Sequence, residues 1–265
     1  MITEELARRI VRTLKENGHA AYFVGGCVRD LLLGVAPQDY DVATNAPPPR
    51  IRELFPKSSQ VGAHFGVVLV LEQSASVEVA TFRTDHSYSD GRRPDSVHFE
   101  TDPRQDVLRR DFTINALLLD PDTGVVLDYV GGQEDLKQGL IRAIGDPQKR
   151  FEEDHLRLLR AVRFAARLNF RIDPSTMDAI EHLHSLISKV SVERVRDELN
   201  RILVEGGARY GFELMDRTGL LRMLLPEVAA MKGVEQPPEF HPEGDVWTHT
   251  LLMLCLLYTS DAADE

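Results

Sequence analysis

The 265-residue sequence has only two cysteines, Cys27 and Cys255, far apart and with no partner at ligand spacing. A disulfide framework, a cysteine-held zinc and redox chemistry are therefore not expected. No apolar run approaches the ~18 residues of a membrane helix. Residues 1–18, MITEELARRIVRTLKENG, follow an amphipathic-helix pattern and not the charged-then-apolar order of a signal peptide, so a cytoplasmic protein with no membrane partner is expected. Positive charge is short as well: 31 Lys+Arg against 42 Asp+Glu leave a net charge of −11. That excludes a surface coated in basic residues for nonspecific nucleic-acid binding. With 7% aromatic residues, neither stacking platforms nor a basic total charge support a noncatalytic RNA-binding module. Internal repeats and low-complexity segments are missing too.

What is present can bury a core. The chain is 43% hydrophobic and 28% charged, and its length suits one large or two modest domains. Arginines cluster locally, first Arg92, Arg93, Arg104, Arg109 and Arg110, then Lys149, Arg150, Arg157, Arg160, Arg163, Arg167 and Arg171. A localised basic seam on an acidic protein is the expectation, and it leaves RNA open as a partner.

Along the chain, a helix is predicted to Gly18, then a strand at 20–24, the Gly25-Gly26 turn and a helix at 28–33 ending at Gly34. A polar strand follows at 39–42, and Pro47-Pro48-Pro49 breaks the chain before a helix at 50–55. Strands at 67–71 and 77–82 pair through the polar turn 72–76. Residues 84–103, rich in Asp, Ser, Arg, Gly and Pro, read as a mobile loop. Strands return at 114–119 and 125–129, and after Gly131-Gly132 everything reads helical. An α/β head therefore precedes an all-α remainder, with the boundary near Gly145-Asp146-Pro147.

The chemistry concentrates where residues 23–34, FVGGCVRDLLLG, are followed by Asp39-Tyr40-Asp41. Two carboxylates at i and i+2 of an extended segment project from one face, where their oxygens can bridge two hard divalent cations about 3.5–4 Å apart. Phosphoryl transfer uses that arrangement, with one Mg²⁺ activating an attacking 3′-hydroxyl and the other holding the triphosphate. The Gly25-Gly26 turn lets backbone N–H groups approach phosphate without an intervening Cβ, and Arg29 just beyond offers a charged fork. Each piece alone also fits a structural turn. A dinucleotide fold is disfavoured, because the G-x-G-x-x-G spacing is absent.

Residues 23–41 resemble motif A of the class II tRNA nucleotidyltransferase and bacterial poly(A) polymerase family, whose head is a polymerase-β-like catalytic fold. Residues 109–116, RRDFTINA, resemble motif B, which implies contacts from Arg110, Asp111 and Asn115 to the sugar and triphosphate of the incoming nucleotide. Residues 128–136, DYVGGQEDL, resemble motif C, the flexible join between head and neck. Residues 191–199, SVERVRDEL, resemble motif E, which braces the neck. The match spans roughly residues 20–230. Similar folds carry a third acidic residue near the metals, a place Glu78 could take; a solvent-facing strand Glu is the equal alternative. Residues 83–94 resemble the family's flexible loop, which helps switch from C to A addition.

Residues 153–157, EDHLR, open a predicted helix to about Asn169 that resembles motif D. At about 100° per residue, Leu158, Leu159, Val162, Ala165 and Ala166 share an apolar face, and Arg157, Arg160, Arg163 and Arg167 fall opposite. Asp154 one turn before Arg157 lets both head groups meet one planar ligand. A carboxylate accepts from the exocyclic amino group of C or A and a guanidinium donates to the ring acceptor, whereas U and G mismatch. An exposed i,i+3 ion pair is the alternative for an isolated helix. The resemblance implies that Asp154 and Arg157 form the protein template for CTP and ATP, and that Arg160 and Arg163 approach phosphate.

Residues 241–251, HPEGDVWTHTL, resemble the entry to an HD phosphohydrolase domain, with His249 its first metal ligand; the adjacent His-Asp pair and later Asp of such a domain do not follow. Residues 255–265, CLLYTSDAADE, read as a translated transposon adapter, so the native chain is expected to continue past Leu254. The expected division is a catalytic head (1–145), a helical neck with the base template (146–205), a helical body with the start of a truncated HD-like domain (206–254) and a non-native tail (255–265). The implied function is addition of C, C and A to the tRNA 3′ end from CTP and ATP with Mg²⁺. A poly(A) polymerase or A-adding enzyme of the same family is the nearest alternative, and an HD-type phosphohydrolase with a non-catalytic head the alternative of another class. Oligomeric state is not encoded legibly.

Overall fold

A computed structural model of the chain describes residues 2–60, 65–72, 75–88 and 90–260. It divides into two compact units. The first comprises 1–89, 94–138 and 143–145; the second comprises 90–93, 139–142 and 146–265.

The first unit opens with α1 (Ile2–Glu16), whose Leu6, Ala7, Ile10, Val11 and Leu14 recur at helical spacing and are all buried. Strand β1 (Ala21–Val24), helix α2 (Gly26–Leu32), strand β2 (Asp41–Thr44), helix α3 (Pro48–Leu54) and strands β3 (Ser58–Gln60), β4 (Val67–Glu72) and β5 (Ala75–Thr81) follow. Next come β6 (Arg83–His86), β7 (Ser96–Phe99), α4 (Pro103–Leu108), β8 (Leu118–Leu119), β9 (Val126–Leu127) and α5 (Gly132–Gln138). A seven-stranded mixed sheet has the order β3-β4-β5-β2-β1-β8-β9. In it β2 runs antiparallel to β1 and parallel to β5. The buried residues of β5 alternate, Ala75, Val77, Val79 and Thr81, as one face of a pleated strand requires. Val24, Ala43, Phe82, Val107, Ala116, Leu118 and Ile144 close the core.

Three expectations need correction here. Residues 84–103 are not one mobile loop: β6 and β7 pair as a two-stranded ribbon, Arg83↔Phe99 to His86↔Ser96, and Asp102 caps α4 with Pro103 at its first position. Strand β6 is polar throughout and no residue of the ribbon is fully buried, so the only apolar alternation is Val97 and Phe99 on β7. Residues 113–115 form a 3-10 turn, leaving only Leu118 and Leu119 of the predicted 114–119 strand. The predicted strand at 39–42 starts later, at Asp41.

The second unit contains β10 (Leu140–Ile141), α6 (Pro147–Glu153), α7 (Arg157–Leu168), β11 (Arg171–Ile172) and α8 (Pro174–Leu183). After these come α9 (Val192–Val204), α10 (Ala208–Arg217), α11 (Leu220–Leu224), α12 (Pro226–Ala229) and α13 (Val246–Ser260). A short parallel pair, β10 with β11, interrupts what reads as all helix. The helix predicted from Glu153 starts later, at Arg157: Glu153 closes α6 and Asp154 is extended (φ −140, ψ 106). Helix α7 ends on left-handed Asn169. Helix α13 runs through the expected native junction at Leu254, and residues 261–265 of the expected tail lie outside the described residues. Among the described residues no helix is long and apolar enough to cross a membrane.

Candidate active site

Strand β1 delivers the chain into Gly25, at φ 80 and ψ −137, a conformation that a residue with a Cβ rarely adopts. A Cβ built at Gly25 would lie 3.8 Å from both Arg110 Nη1 and Asp41 Oδ2. The turn therefore faces a guanidinium and a carboxylate, and Gly26 starts α2 directly behind it.

The carboxylates gather at the start of β2. Tyr40 is buried, its ring edge-on to Phe23 at 5.3 Å, and burial followed by the nearby Glu4 carboxylate pushes its phenol up to about 12. Asp41 opens β2 just after it, and Asp39, which precedes the strand, lies close enough to repel the Asp41 carboxylate. Asp41 pairs in register with Val24 on β1 and with Glu78 on β5. Side chains in register on adjacent strands share a face, so Glu78 stands beside Asp41. Burial first, then Glu78, then Asp39 raise the Asp41 carboxyl to about 6, against the pull of Arg110. Three carboxylates opposed by one guanidinium form an all-oxygen donor set with uncompensated negative charge, which a hard divalent cation fits.

The predicted arginines are held differently from expectation. Arg29 is not an open phosphate fork: it is 2% exposed, donates from Nε to Asp30 at 2.8 Å and from Nη1 to Asn115 Oδ1 at 2.8 Å. Asn115 Nδ2 in turn reaches Asp111 Oδ1 at 3.4 Å, an oxygen that also accepts from the Phe112 N–H. Arg29 thus fixes the Asn115 amide from behind, since its guanidinium is packed under α2. Arg110 and Arg109 both donate to Asp106, which is 1% exposed. Motif C is pinned: Asp128 accepts from the N–H groups of Val130, Gly131, Gly132 and Gln133, and Thr113 donates to Asp135 at 2.6 Å.

Asp106 yields a prediction. Burial pushes its carboxyl up, but the guanidinium groups of Arg110 and Arg109 outweigh burial and hold it below the usual carboxylate range. A depressed folded pKa contributes stability that is present above about pH 4 and lost as pH falls through the folded value. Asp106→Asn should cost about 2 kcal/mol at neutral pH and flatten the loss of stability below about pH 4. Urea melts of both proteins across that range measure this, and parallel pH profiles would count against the pairing.

In the second unit, Asp154 sits at the α6–α7 junction and not on a helical face. Its carboxylate receives a two-pronged donation from Arg194 on α9, at 3.2 and 2.9 Å, and one from the Leu156 N–H at 3.1 Å. Arg157 donates to Glu153 at 2.7 Å and to the Arg150 carbonyl at 3.0 Å. Arg157 is thus held from α6 and the Asp154 carboxylate from α9. Arg160 approaches Glu198 at 3.9 Å. Arg163 is corrected from the exposed face to the interior: it is 3% exposed and donates to Glu198 at 2.6 Å and Glu205 at 3.2 Å. Packing of α9 on α7 buries it. The expected basic seam is accordingly interleaved with carboxylates, as Arg150, Arg157, Arg163 and Arg167 all have acidic partners.

Residues to which the sequence reading gave no individual role are therefore Asp106, Arg194, Glu153, Glu198 and His155. His155 is buried; its N–H donates to the Gly91 carbonyl at 3.2 Å, and its ring occupies the space a Cβ on Gly91 would need. Motif E, which holds Arg194 and Glu198, was legible; pairings 40 and 35 residues apart leave no local signal.

Residues 21–142 match the poly A polymerase head domain, and residues 169–232 match the probable RNA and SrmB-binding site of polymerase A. The chain is similar to a CCA-adding enzyme of Lactobacillus johnsonii, 41% identical over 93% of this chain and 63% of that protein. A CCA-adding enzyme of Lactobacillus helveticus is 43% identical over 94% and 63%. The chain thus spans under two thirds of the length of these curated relatives. Among solved structures, the Bacillus stearothermophilus CCA-adding enzyme in complex with CTP matches with a TM-score of 0.78 and 40% identity, over 85% of this chain and 55% of that one. The Thermotoga maritima CCA-adding enzyme complexed with tRNA matches with a TM-score of 0.68 and 29% identity, over 84% and 52%. A polymerase-β-like head in which Asp41 and Glu78 share one sheet face with Asp39 close by, followed by the family's RNA-binding segment, makes this chain a member of the tRNA nucleotidyltransferase and bacterial poly(A) polymerase family.

Proposed function

We propose that the chain adds C, C and A to the 3′ end of tRNA from CTP and ATP, releasing pyrophosphate at each step. The observation that carries this reading is the face shared by Asp41 and Glu78 beside the Gly25 turn and Arg110. Asp39, Asp41 and Glu78 would hold Mg²⁺, which when bound supplies the positive charge that activates the 3′-hydroxyl and offsets the leaving pyrophosphate. The Gly25-Gly26 backbone and Arg110 bind triphosphate oxygens, and Asn115, fixed by Arg29 and Asp111, orients the sugar. Asp154 and Arg157 read the base, with Arg160 at their side. Arg163 is assigned to bracing α7 on α9, because its guanidinium is committed to Glu198 and Glu205. A tRNA substrate places this work in the cytoplasm.

That the similar proteins are CCA-adding enzymes favours CCA addition over the A-only or poly(A) alternatives. The test is addition to three acceptors, tRNA ending before CC, before A, or complete, followed by sequencing of the 3′ ends. CCA addition yields completed ends from the first two and nothing from the third; runs of A on all three would indicate poly(A) synthesis instead.

Arg194 supplies a further expected result. Its two-pronged hold on Asp154 fixes the carboxylate that would accept from the base. Arg194→Ala should lower the preference for CTP over UTP about 5- to 10-fold, and Arg194→Lys, keeping the charge but not the fork, should restore only part. Ratios of kcat/KM for the two nucleotides check this; equal ratios in wild type and both variants would remove the positioning role.

A further inference from the structure

A second group of metal-ligating side chains lies at the start of α13. His241, Glu243 and His249 place one donor atom each within 4.8 Å of one another. Glu243 Oε1 stands 2.5 Å from His249 Nδ1 and 3.2 Å from His241 Nδ1. The two imidazole rings meet edge-to-face with centroids 4.8 Å apart. Two ring nitrogens converge on a single carboxylate oxygen, and all three side chains remain partly open to solvent.

The surrounding backbone fixes this convergence. Asp245 accepts from the Thr248 N–H and hydroxyl at the start of α13 and from the Gly233 N–H, while the Val246 N–H donates to Val234. Phe240 and His241 both donate to the Pro237 carbonyl, and Gly244, at φ 125, turns the chain so that Glu243 comes to lie against a side chain six residues later. Buried Trp247 and Leu251 anchor the helix that carries His249.

We propose that His241, Glu243 and His249 form a divalent-metal site of zinc type. Two imidazoles and one carboxylate suit zinc more than Mg²⁺ or Ca²⁺, which prefer all-oxygen sets. With bonds of about 2.0–2.1 Å, tetrahedral ligand atoms stand about 3.3 Å apart. The His241–Glu243 separation already has this value, and the His249–Glu243 pair has to open by less than about 1 Å. Three protein ligands leave one position for water or an exogenous ligand. His241 and Glu243 thus complete the coordination of His249 with residues eight and six positions upstream, where an HD domain would draw on a downstream His-Asp pair.

The experiment is equilibrium dialysis of the chelator-stripped chain against micromolar Zn²⁺ in millimolar Mg²⁺, with metal per chain read by mass spectrometry. One zinc per chain is expected, as is a visible absorption band of four-coordinate Co²⁺ when cobalt replaces zinc. Glu243→Gln and His249→Ala should each weaken binding about 100-fold or more, while Asp39→Asn/Asp41→Asn should leave it unchanged. Circular dichroism of the metal-free proteins verifies folding, and the near-isosteric Glu243→Gln keeps the test valid if His249→Ala is unstable. No zinc bound by the wild type, or equal binding by wild type and Glu243→Gln, overturns the site.

Discussion

Asp41→Asn, or Asp39→Ala, is expected to reduce nucleotide addition by at least about 10³-fold, equivalent to roughly 4 kcal/mol of transition-state stabilisation. The same changes should leave the fold intact, and the reason is electrostatic. Asp41 is squeezed by burial and by Glu78 and Asp39 at once, so removing one charge relieves repulsion and breaks no core contact. The thermal midpoint of the metal-free protein should hold steady or rise. Added Mg²⁺ should raise the midpoint of the wild type, because a ligand that binds only the folded state stabilises it, and should do so far less in Asp41→Asn. Activity above a few per cent in either variant, or loss of folding, would contradict the assignment of these residues to metal binding.

The second large effect concerns base choice. Asp154→Ala should relax nucleotide selectivity about 10- to 100-fold, read as misincorporated UTP or GTP, since one of two base-reading bonds is lost. Arg157→Ala should weaken CTP and ATP together, because the guanidinium faces an acceptor common to both. The structure sharpens this forecast. Asp154 is held by Arg194 and Arg157 by Glu153, so each side chain has a support of its own. If the two only stabilised the helical junction, both variants would melt earlier yet keep wild-type selectivity. Single-nucleotide incorporation with each of the four triphosphates separates the outcomes.

What the sequence revealed depended on the range of the interactions involved. Asp39-Tyr40-Asp41 was legible as a carboxylate pair because it needs only adjacent residues, although the strand takes in Asp41 alone. Gly25 was legible because a glycine between an apolar strand and a helix marks a turn. The burial of Arg29 and Arg163 was not, because a helical wheel separates polar from apolar faces but is blind to distant partners that draw a guanidinium inward, Asn115 86 residues from Arg29 and the acidic Glu198 and Glu205 35 and 42 residues from Arg163. The extended conformation of Asp154 also escaped, since nothing in EDHLR forbids a continuous helix; the break is held by Arg194. The β6–β7 ribbon was missed because β6 is polar throughout and the alternation of β7, Ser96-Val97-His98-Phe99, is only four residues long within a stretch rich in Asp, Ser, Arg, Gly and Pro.

The central claim, template-independent addition to the tRNA 3′ end at the carboxylate face, is tested most directly with one radiolabelled acceptor. A tRNA ending immediately before CCA is incubated with the chain, CTP, ATP and Mg²⁺, and both extension and pyrophosphate are followed. The expected result is C, then C, then A, one pyrophosphate per nucleotide, and no extension by Asp41→Asn. An unextended tRNA with folded protein, or equal extension by wild type and Asp41→Asn, would contradict the account.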